Sequence, residues 1–223
     1  MKPFKLFIHA TNIVGKTIRV QEVLDDIFSY IFSSGFINDC EQIIICTCGD
    51  PIKLINHEKI KLQVIDDRWE LQTLTLLQNF CFENTGYNVL FAHCKGTTVN
   101  GIPGTVMGNY DYQKQDDWRK FMCYFNIAKY KECIKVLENN DTCGVNYQID
   151  EANRGFYSGN FWWATSDYIK TLPKVESINI SQNRYMSEKW LGMNMQSHKA
   201  FCMHNSHTHH YNERCPKELY EEN

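Results

Sequence analysis

A short polar run, His93-Cys94-Lys95-Gly96, follows an apolar stretch of the sequence and carries groups that can bind phosphate. A lysine ammonium followed by glycine can place positive charge and free backbone N–H groups against phosphate oxygens. The same residues also fit a solvent-exposed turn, because short motifs of this kind arise by chance. The run therefore predicts either a phosphate site or an ordinary turn.

Two acidic groups are candidates for acid–base chemistry. Asp116-Asp117-Trp118-Arg119 begins an apolar helix pattern, where acids are favourable in the first turn whatever their function. Asp117 is also a candidate base or a ligand of substrate hydroxyls. Glu188 lies in a short helical pattern beside aromatic residues, which fits either surface charge or a partly buried functional carboxylate.

The stretch from 155 to 173 joins a polar turn, Ser158-Gly159-Asn160, to a dense group of aromatic residues. Glycine lets the backbone approach a ligand closely, and serine and asparagine supply a hydroxyl and an amide. Rings such as Tyr157 and Trp162 suit the faces of a sugar or a base. Neighbouring strand residues point in opposite directions, so at least one of Trp162 and Trp163 is expected in the core.

The C-terminal region contains four histidines whose spacing matches no standard zinc pattern: His204, His207, His209 and His210. An exposed histidine-rich tail over 198–223 is one interpretation, and a histidine folding back onto a metal–phosphate site is the other. The ten cysteines include no Cys-x-x-Cys pair, and several fall in apolar periodic segments. This usage predicts reduced thiols in a cytoplasmic protein.

The composition fits one globular domain with a tail. The chain has 223 residues, 43% of them hydrophobic, which is enough for a substantial core. A net charge of −3 argues against a protein that coats nucleic acid. The sequence shows no signal peptide and no apolar run of about 18 residues that would span a membrane.

Strand and helix patterns alternate through the first two-thirds of the sequence and predict an α/β domain with a mostly parallel sheet. The predicted strands and helices are strands at Phe4–His9, Gln42–Thr47, Ile60–Ile65, Asn88–His93 and Cys143–Val145, and helices at 20–32, 70–82, 116–137 and 187–191. Ligands of such sheets bind beyond the carboxyl ends of the strands. That rule selects His9-Ala10-Thr11, Asp66 and His93–Gly96. The glycine-rich stretch 96–114 has no periodicity and is expected to be a functional or mobile loop.

Taken together, these segments resemble a known family. The resembling blocks, in chain order, are LFIHAT (6–11), SGFINDCEQIIICTCG (34–49), ELQTL (70–74), VLFAHCKGT (89–97), DWRKFMCYF (117–125), residues 157–173 and residues 184–192. The chain is similar to small GT-A-type glycosyltransferases of bacteria and large DNA viruses, including a Chlorella-virus glycosyltransferase domain. The resemblance covers roughly residues 4–192.

The resemblance implies a single Rossmann-like α/β/α sandwich over 1–197 that uses a nucleotide-sugar donor, expected to be UDP-linked. His9, Ala10, Thr11, Asp66 and Thr73 would contact the nucleoside. The diphosphate would lie at His93, Lys95 and Gly96. Sugar or acceptor would lie at Tyr157, Ser158, Gly159, Asn160 and Trp162.

The implied reaction is transfer of a hexosyl or deoxyhexosyl group to a hydroxyl of a glycan or glycoprotein. The transition state carries positive charge on the sugar and negative charge on the leaving diphosphate, so it needs a carboxylate and a cation. Glu188, with Asp117 second, is expected as the carboxylate, and Lys95 as the cation.

Metal use is the point at which the sequence departs from the wider GT-A class. Most of those enzymes have Asp-x-Asp after the fourth strand to hold Mn²⁺ or Mg²⁺, and this chain has His93-Cys94-Lys95 instead. Either Lys95 supplies part of the charge, or a metal is held by residues such as His93, Asp111 and His204.

Two other function classes remain open. One is a nucleotide-sugar or glycan-binding module of the same fold that has lost catalysis, which the missing Asp-x-Asp favours. The other is a nucleotidyltransferase, which is disfavoured because no glycine-rich loop with Arg or Lys follows the first strand.

Overall fold

The computed structural model describes residues 1–13, 15, 17, 19–66, 69–97, 112–178, 186–194 and 198–221. Asp111, a candidate metal ligand, and most of the glycine-rich loop lie outside the described residues. In the described ranges, no helix is long and apolar enough to cross a membrane.

The chain alternates strands and helices as the periodicity predicts. The strands are β1 Phe4–His9, β2 Gln42–Thr47, β3 Ile60–Val64, β4 Asn88–His93, β5 Thr142–Val145, β6 Tyr147–Ile149, β7 Gly155–Tyr157, β8 Trp162–Thr165 and β9 Ala200–His204. The α-helices are α1 Val20–Ser33, α2 Phe36–Asp39, α3 Leu71–Glu83, α4 Tyr112–Cys123, α5 Tyr130–Val136, α6 Ser166–Ile169 and α7 Met186–Lys189. A π-helical turn, Tyr124–Ala128, links α4 to α5.

Seven strands form one sheet in the order β3-β2-β1-β4-β8-β5-β9. β1, β2, β3 and β4 are mutually parallel, β8 is antiparallel to both β4 and β5, and β9 is parallel to β5. The predicted α/β fold with a mostly parallel central sheet is confirmed. β6 and β7 form a separate antiparallel ribbon.

Helices cover both faces of this sheet, and the alternation of the strands explains why. On β1, Phe4, Leu6 and Ile8 point into the apolar cluster formed with α1, α4 and α5. Phe7 points the other way, into the cluster formed with α3 and α6. A buried parallel strand has an apolar residue at almost every position because both of its faces are covered.

The aromatic stretch after the turn is core on both faces. Trp162 stacks on Phe91 at 5.2 Å between ring centroids, within the α3-side cluster. Trp163 lies in the α1-side cluster, and its indole N–H donates to the carbonyl of Asn126 at 2.9 Å. Both tryptophans are fully buried, so the expectation that at least one belongs to the core is confirmed.

The segment that was expected to be an irregular tail differs from that expectation in its first part. Ala200–His204 forms β9 and pairs with β5 at the edge of the sheet. Only one side of β9 has a partner strand, and its residues are half-buried or exposed, so it lacks the apolar run that marks the inner strands. Farther on, Cys215 and Tyr220 pack into the α1-side cluster.

All ten cysteines are free thiols, and nine of them are buried. Burial raises the pKa of the Cys46 thiol to about 11 and that of the Cys94 thiol to about 12. These side chains therefore act as small apolar groups, as their positions in apolar segments predict.

Candidate functional site

Polar residues of the first and fourth strands meet at the carboxyl edge of the sheet. β1 and β4 are parallel neighbours, and their register places His9 beside His93. Both continue the alternation of Phe7 and Phe91, which places them on the α3 side. The order of strands also reverses here, because β2 and β3 lie on one side of β1 and β4 lies on the other. Ligands of open α/β sheets bind at such a reversal.

His9 is held by two threonine hydroxyls. Its Nδ1 lies 2.9 Å from Thr73 Oγ1 at the start of α3, and its Nε2 lies 2.8 Å from Thr11 Oγ1. All three side chains are buried. The structure thus brings together three of the residues that the resemblance implied for the nucleoside.

The other two residues implied for the nucleoside are placed differently. Ala10 is buried, and its N–H donates to the carbonyl of Cys46 while its own carbonyl accepts from the Thr47 hydroxyl. Its backbone groups are therefore used within the sheet. Asp66 is exposed just beyond β3, and its N–H donates to Gln72 Oε1 at 2.8 Å.

His93 forms an ion pair with Glu70, which immediately precedes α3. His93 Nδ1 lies 2.9 Å from Glu70 Oε1, and the two side chains are 15% and 14% exposed. His93 Nε2 lies 2.8 Å from the carbonyl oxygen of Gly159. Both ring nitrogens thus face oxygens that only accept hydrogen bonds. A neutral imidazole can donate to one of them, whereas the imidazolium donates to both.

The second oxygen of the Glu70 carboxylate gathers two other segments. Asn160 Nδ2 donates to Glu70 Oε2 at 2.7 Å, and the Ser187 hydroxyl of α7 donates to the same oxygen at 3.2 Å. Asn160 Oδ1 in turn accepts from the Trp162 indole N–H at 2.7 Å. One carboxylate therefore connects β4, the 158–160 turn and α7.

The environment of Glu70 keeps its carboxyl ionised. Burial alone would raise the pKa of this group, but the charge and hydrogen bond of His93 act against burial and prevail. His9 and Lys95 contribute in the same direction, and the pKa falls from 4.5 to about 2. Glu70 is thus a fixed negative charge at this edge of the sheet.

Glu70 is the functional candidate that the sequence patterns did not single out. A glutamate before a helix is ordinarily explained by the helix dipole. Its spacing from Thr73 was the available signal, because residues three apart lie on the same face of a helix. Thr73 was implicated in the site, and Glu70 precedes it by one turn.

The 158–160 turn is tightly packed. Gly159 has φ of +91°, and a Cβ on it would lie 3.0 Å from Trp118 Nε1 and too close to Met122 Sδ. Asn160 also lies in the left-handed region, with φ of 55°. Asn160 is buried and Ser158 is half-buried. The turn is therefore a rigid part of the wall, and it contributes the Gly159 carbonyl to His93.

Gly159→Ala is expected to destabilise the protein by about 1–3 kcal/mol, from the left-handed backbone and the crowding of Met122 and Trp118. Gly86 is the matched control, since its φ is +78° and a Cβ there would meet nothing within 4 Å. Urea unfolding of the two variants separates crowding from backbone strain. Equal losses of stability in Gly159→Ala and Gly86→Ala would contradict the packing described.

Two residues expected at the sugar or acceptor belong to the core instead. Tyr157 is 1% exposed, and its hydroxyl contacts Thr142 Oγ1 at 2.9 Å and donates to the carbonyl of Phe201 at 3.1 Å. Trp162 is likewise 1% exposed. Neither ring can border a cleft, and Trp162 acts on the site only through Asn160.

Lys95 lies beside aromatic rings at the end of β4. Its ammonium is 4.2 Å from the centre of the Trp118 ring and 3.5 Å from the Tyr211 hydroxyl. Among the described residues, no carboxylate forms an ion pair with it. The next residue, Gly96, has φ of +90° and is buried against Gln115. The cation predicted for a phosphate is thus half-buried at the carboxyl edge.

The C-terminal segment, residues 204–215, folds over α4 beside Lys95. The His210 ring stacks on Trp118 with 4.9 Å between centroids and 6° between planes. The Tyr211 ring meets the Trp118 ring edge-on at 5.2 Å. Arg214 pairs with both oxygens of Asp117 and donates to Gln113 Oε1 at 2.6 Å. This segment is therefore part of the site's surroundings and is anchored at both ends of the contact.

The acids of the Asp-Asp-Trp-Arg motif are engaged in ion pairs. Arg119 is buried, and it binds Asp26 at 2.8 Å and Asp116 at 2.7 Å. Arg19 reaches Asp116 at 2.9 Å. Because Asp117 is held by Arg214, the expectation that Asp117 acts as a second catalytic carboxylate conflicts with its pairing. Its observed contact is with the C-terminal segment.

Glu188 lies half-buried on α7, next to Ser187, which contacts Glu70. Lys189 of the same helix binds Asp150 at 2.8 Å, and Arg154 binds the same carboxylate at 2.8 Å. The β6–β7 ribbon thus fixes α7 against the site. The structure brings the predicted carboxylate within one residue of the Glu70 network.

The described residues hold no group of three or more His, Cys, Asp and Glu side chains that would bind a metal ion. His204 stacks on Phe125 with 4.8 Å between centroids, within an aromatic cluster. His93 uses both ring nitrogens in the contacts above. Described residues therefore do not provide the set of ligands that the Mn²⁺ or Mg²⁺ hypothesis requires.

Comparison with known proteins gives a family without an assigned activity. A family model described as a domain of unknown function (DUF8361) matches residues 5–213. No curated protein matches the sequence. One solved structure with a similar fold is CMP:2-keto-3-deoxy-manno-octonic acid synthetase complexed with CTP, at 7% identity and a TM-score of 0.41. The alignment covers 91% of this chain and 90% of that one, and the likeness is too distant to assign an activity.

Proposed function

This chain belongs to the DUF8361 family, and we propose that it is a glycosyltransferase that moves a sugar from a nucleotide-sugar donor to a hydroxyl of a glycan acceptor. The proposed donor is UDP-linked and the proposed group is a hexosyl or deoxyhexosyl unit. The resemblance of the sequence to small GT-A-type glycosyltransferases motivates this choice.

The observation that carries the proposal is the pairing of charges at the strand reversal. The anionic Glu70 and the cationic Lys95 lie at the carboxyl edge of β1 and β4, on either side of His93 in the same network of contacts. Glycosyl transfer needs both signs of charge, because the sugar becomes cationic while the leaving diphosphate gains negative charge. A site for a neutral ligand would not need either.

The proposed roles follow from position. His9, Thr11 and Thr73 border the nucleoside, with Asp66 at the outer end of β3 as a ribose contact. Lys95 and the backbone near Gly96 neutralise the leaving diphosphate. Glu70 holds His93 and, through Asn160, the 158–160 turn, so it is a positioning residue. No step in this scheme passes through a metal ion.

Glu188 is proposed as the carboxylate at the reacting centre. Glu70 is a poor proton acceptor because a carboxyl with pKa of about 2 is a very weak base. Asp117 is paired with Arg214. Glu188 lies on the short helix that contacts Glu70, half-buried, and in an inverting reaction it would remove the proton of the acceptor hydroxyl.

Glu188→Gln is expected to lower kcat for sugar transfer at least ~100-fold while leaving the Kd for UDP within about threefold, since only the proton acceptor is lost. Transfer is measured by release of UDP from UDP-sugars with glycan acceptors, and binding by calorimetry. Glu176→Gln, an acid in a short turn outside the site, is the control. Transfer by Glu188→Gln at the wild-type rate would refute the assignment.

A second candidate is a binding module that holds a nucleotide-sugar without reacting it. The specific observation in its favour is that the described residues lack a three-ligand metal group at a place where most GT-A enzymes hold one. Binding of UDP-sugar with neither transfer nor slow hydrolysis, with and without Mn²⁺, would select this function over the first.

A further inference from the structure

Two buried N–H groups beside Lys95 have no hydrogen-bond partner among the residues that the structure describes. One is the Trp118 indole Nε1, on a side chain that is 2% exposed. The other is the His210 Nδ1, on a side chain that is 4% exposed. Leaving a buried donor without a partner costs about 1–3 kcal/mol, so such groups ordinarily mark a missing water, ion or ligand.

The hydrogen-bond network fixes which nitrogen of His210 carries the proton. Asn146 Oδ1 accepts from the backbone N–H of Ser206 at 2.8 Å, which sets the orientation of the amide. Its Nδ2 therefore donates to His210 Nε2 at 2.9 Å, and Nε2 must be unprotonated. The proton of the neutral ring is then on Nδ1. Burial, with the nearby charge of Lys95, lowers the pKa of His210 to about 4, which agrees with a neutral ring.

Trp118 brings these groups and the ammonium together. Its ring contacts the His210 ring at 4.9 Å between centroids and the Lys95 ammonium at 4.2 Å from its own centre. The nearest acid, Asp117, is already paired with Arg214. Two N–H donors and an ammonium without an acidic partner are the complement of an anion.

We propose that Trp118 Nε1–H, His210 Nδ1–H and the Lys95 ammonium form an anion subsite that binds the donor's diphosphate. This inference rests on the proposed function and extends it, because it makes the C-terminal segment part of the donor site. Gln115 Oε1, a third buried atom without a described partner, is an acceptor and would take a hydroxyl of the same ligand.

Access to the subsite requires a side-chain movement. Tyr211 contacts both Lys95 and Trp118, and it is 55% exposed. It is the covering side chain that costs least to displace, because half of its surface already faces water. The anion then replaces the Tyr211 hydroxyl at the Lys95 ammonium.

The test is calorimetric binding of inorganic pyrophosphate to the full chain, with a chelator present. Trp118→Phe keeps an aromatic ring against His210 but removes the indole N–H. His210→Gln keeps an acceptor for Asn146 but removes the Nδ1 donor. Each change is expected to weaken pyrophosphate binding about tenfold, the value of one hydrogen bond to a charged group. His207→Gln, an exposed histidine of the same segment, is expected to bind within about twofold of the wild type.

The outcomes separate this inference from the glycosyltransferase proposal. Loss of pyrophosphate affinity in both variants, with unfolding temperatures showing folded protein, supports the subsite even if no donor is transferred. Unchanged affinity in the variants overturns the subsite even if transfer is found. Absence of pyrophosphate binding by the wild type also overturns it and leaves a buried water as the partner of the two N–H groups.

Discussion

Replacing Lys95 with methionine is expected to weaken UDP binding about 100-fold, equivalent to about 2.8 kcal/mol, and to reduce sugar transfer below detection. Among the described residues the ammonium has no ion-pair partner, so its charge is available to the diphosphate. In the transition state the leaving group gains negative charge, and the loss of Lys95 is then felt more strongly than in the ground state.

The fold is expected to tolerate Lys95→Met well. Lys95 contacts the Trp118 ring, an interaction worth about 0.5–1 kcal/mol at a site that is not fully desolvated. A methionine of similar length keeps its stem over the ring and offers a sulfur–aromatic contact in exchange. The unfolding temperature of Lys95→Met should therefore stay close to that of the wild type while binding is lost.

Lys120→Met is the matched control, because Lys120 is an exposed lysine on the same helix as Trp118. It removes the same charge from the protein without touching the carboxyl edge of the sheet. Calorimetry with UDP and an assay of UDP release compare the three proteins at one ionic strength. If Lys95→Met binds UDP within about twofold of Lys120→Met, the cation at the strand end has no role in phosphate binding.

The inner strands were predictable because burial on both faces leaves a simple pattern. β1, β2 and β4 have the predicted bounds, and β3 ends one residue earlier than predicted. Each is a short run of apolar residues that ends in polar or glycine-containing sequence. The parallel arrangement followed from the helices between them, and the strand-end rule then selected His9 and His93, which the register does place together.

The partners of those residues were less predictable, because they come from separate parts of the chain. Glu70 is 23 residues from His93 and 90 from Asn160, and no local pattern records such contacts. Sequence reasoning assigned Tyr157 and Trp162 to the ligand because aromatic rings suit sugars. Their burial shows the alternative use of the same rings, which is to hold the 158–160 turn against Glu70.

The C-terminal segment shows a similar limit. A region with four histidines and little apolar periodicity was expected to be an irregular tail, yet β9 joins the sheet and His210 is buried on Trp118. Its stability comes from particular contacts, such as Asn146 with His210 and Asp117 with Arg214, and not from a repeating pattern. Such contacts leave no periodic signal in the sequence.

Replacing Glu70 with glutamine is expected to cost about 3 kcal/mol of unfolding free energy at pH 7, which corresponds to the fall of its pKa from 4.5 to about 2. The carboxylate accepts from His93 on one oxygen and from Asn160 and Ser187 on the other. A glutamine amide would turn its NH₂ group toward one of these donors, so at least one hydrogen bond is lost and His93 loses its counter-ion.

The pH dependence of this loss has a definite sign. Because the pKa of Glu70 is lowered in the folded protein, its contribution is complete above the unfolded-state value of about 4.5 and disappears as the pH falls toward 2. The difference in stability between wild type and Glu70→Gln should therefore be constant from pH 7 to about 5 and shrink below that. Urea unfolding at a series of pH values measures it directly.

Glu83→Gln is the control for Glu70→Gln, since Glu83 is an exposed glutamate at the opposite end of α3. Its stability should stay within about 0.5 kcal/mol of the wild type. A difference between wild type and Glu70→Gln that stays unchanged down to pH 3 would mean that the loss comes from packing and not from charge. A difference of less than about 0.5 kcal/mol at pH 7 would contradict the Glu70–His93 pairing itself, because a buried ion pair that loses one partner leaves the other uncompensated. In either case the site would have to be rebuilt around Lys95 alone, whereas the expected result makes Glu70 the residue that connects β4, the 158–160 turn and α7.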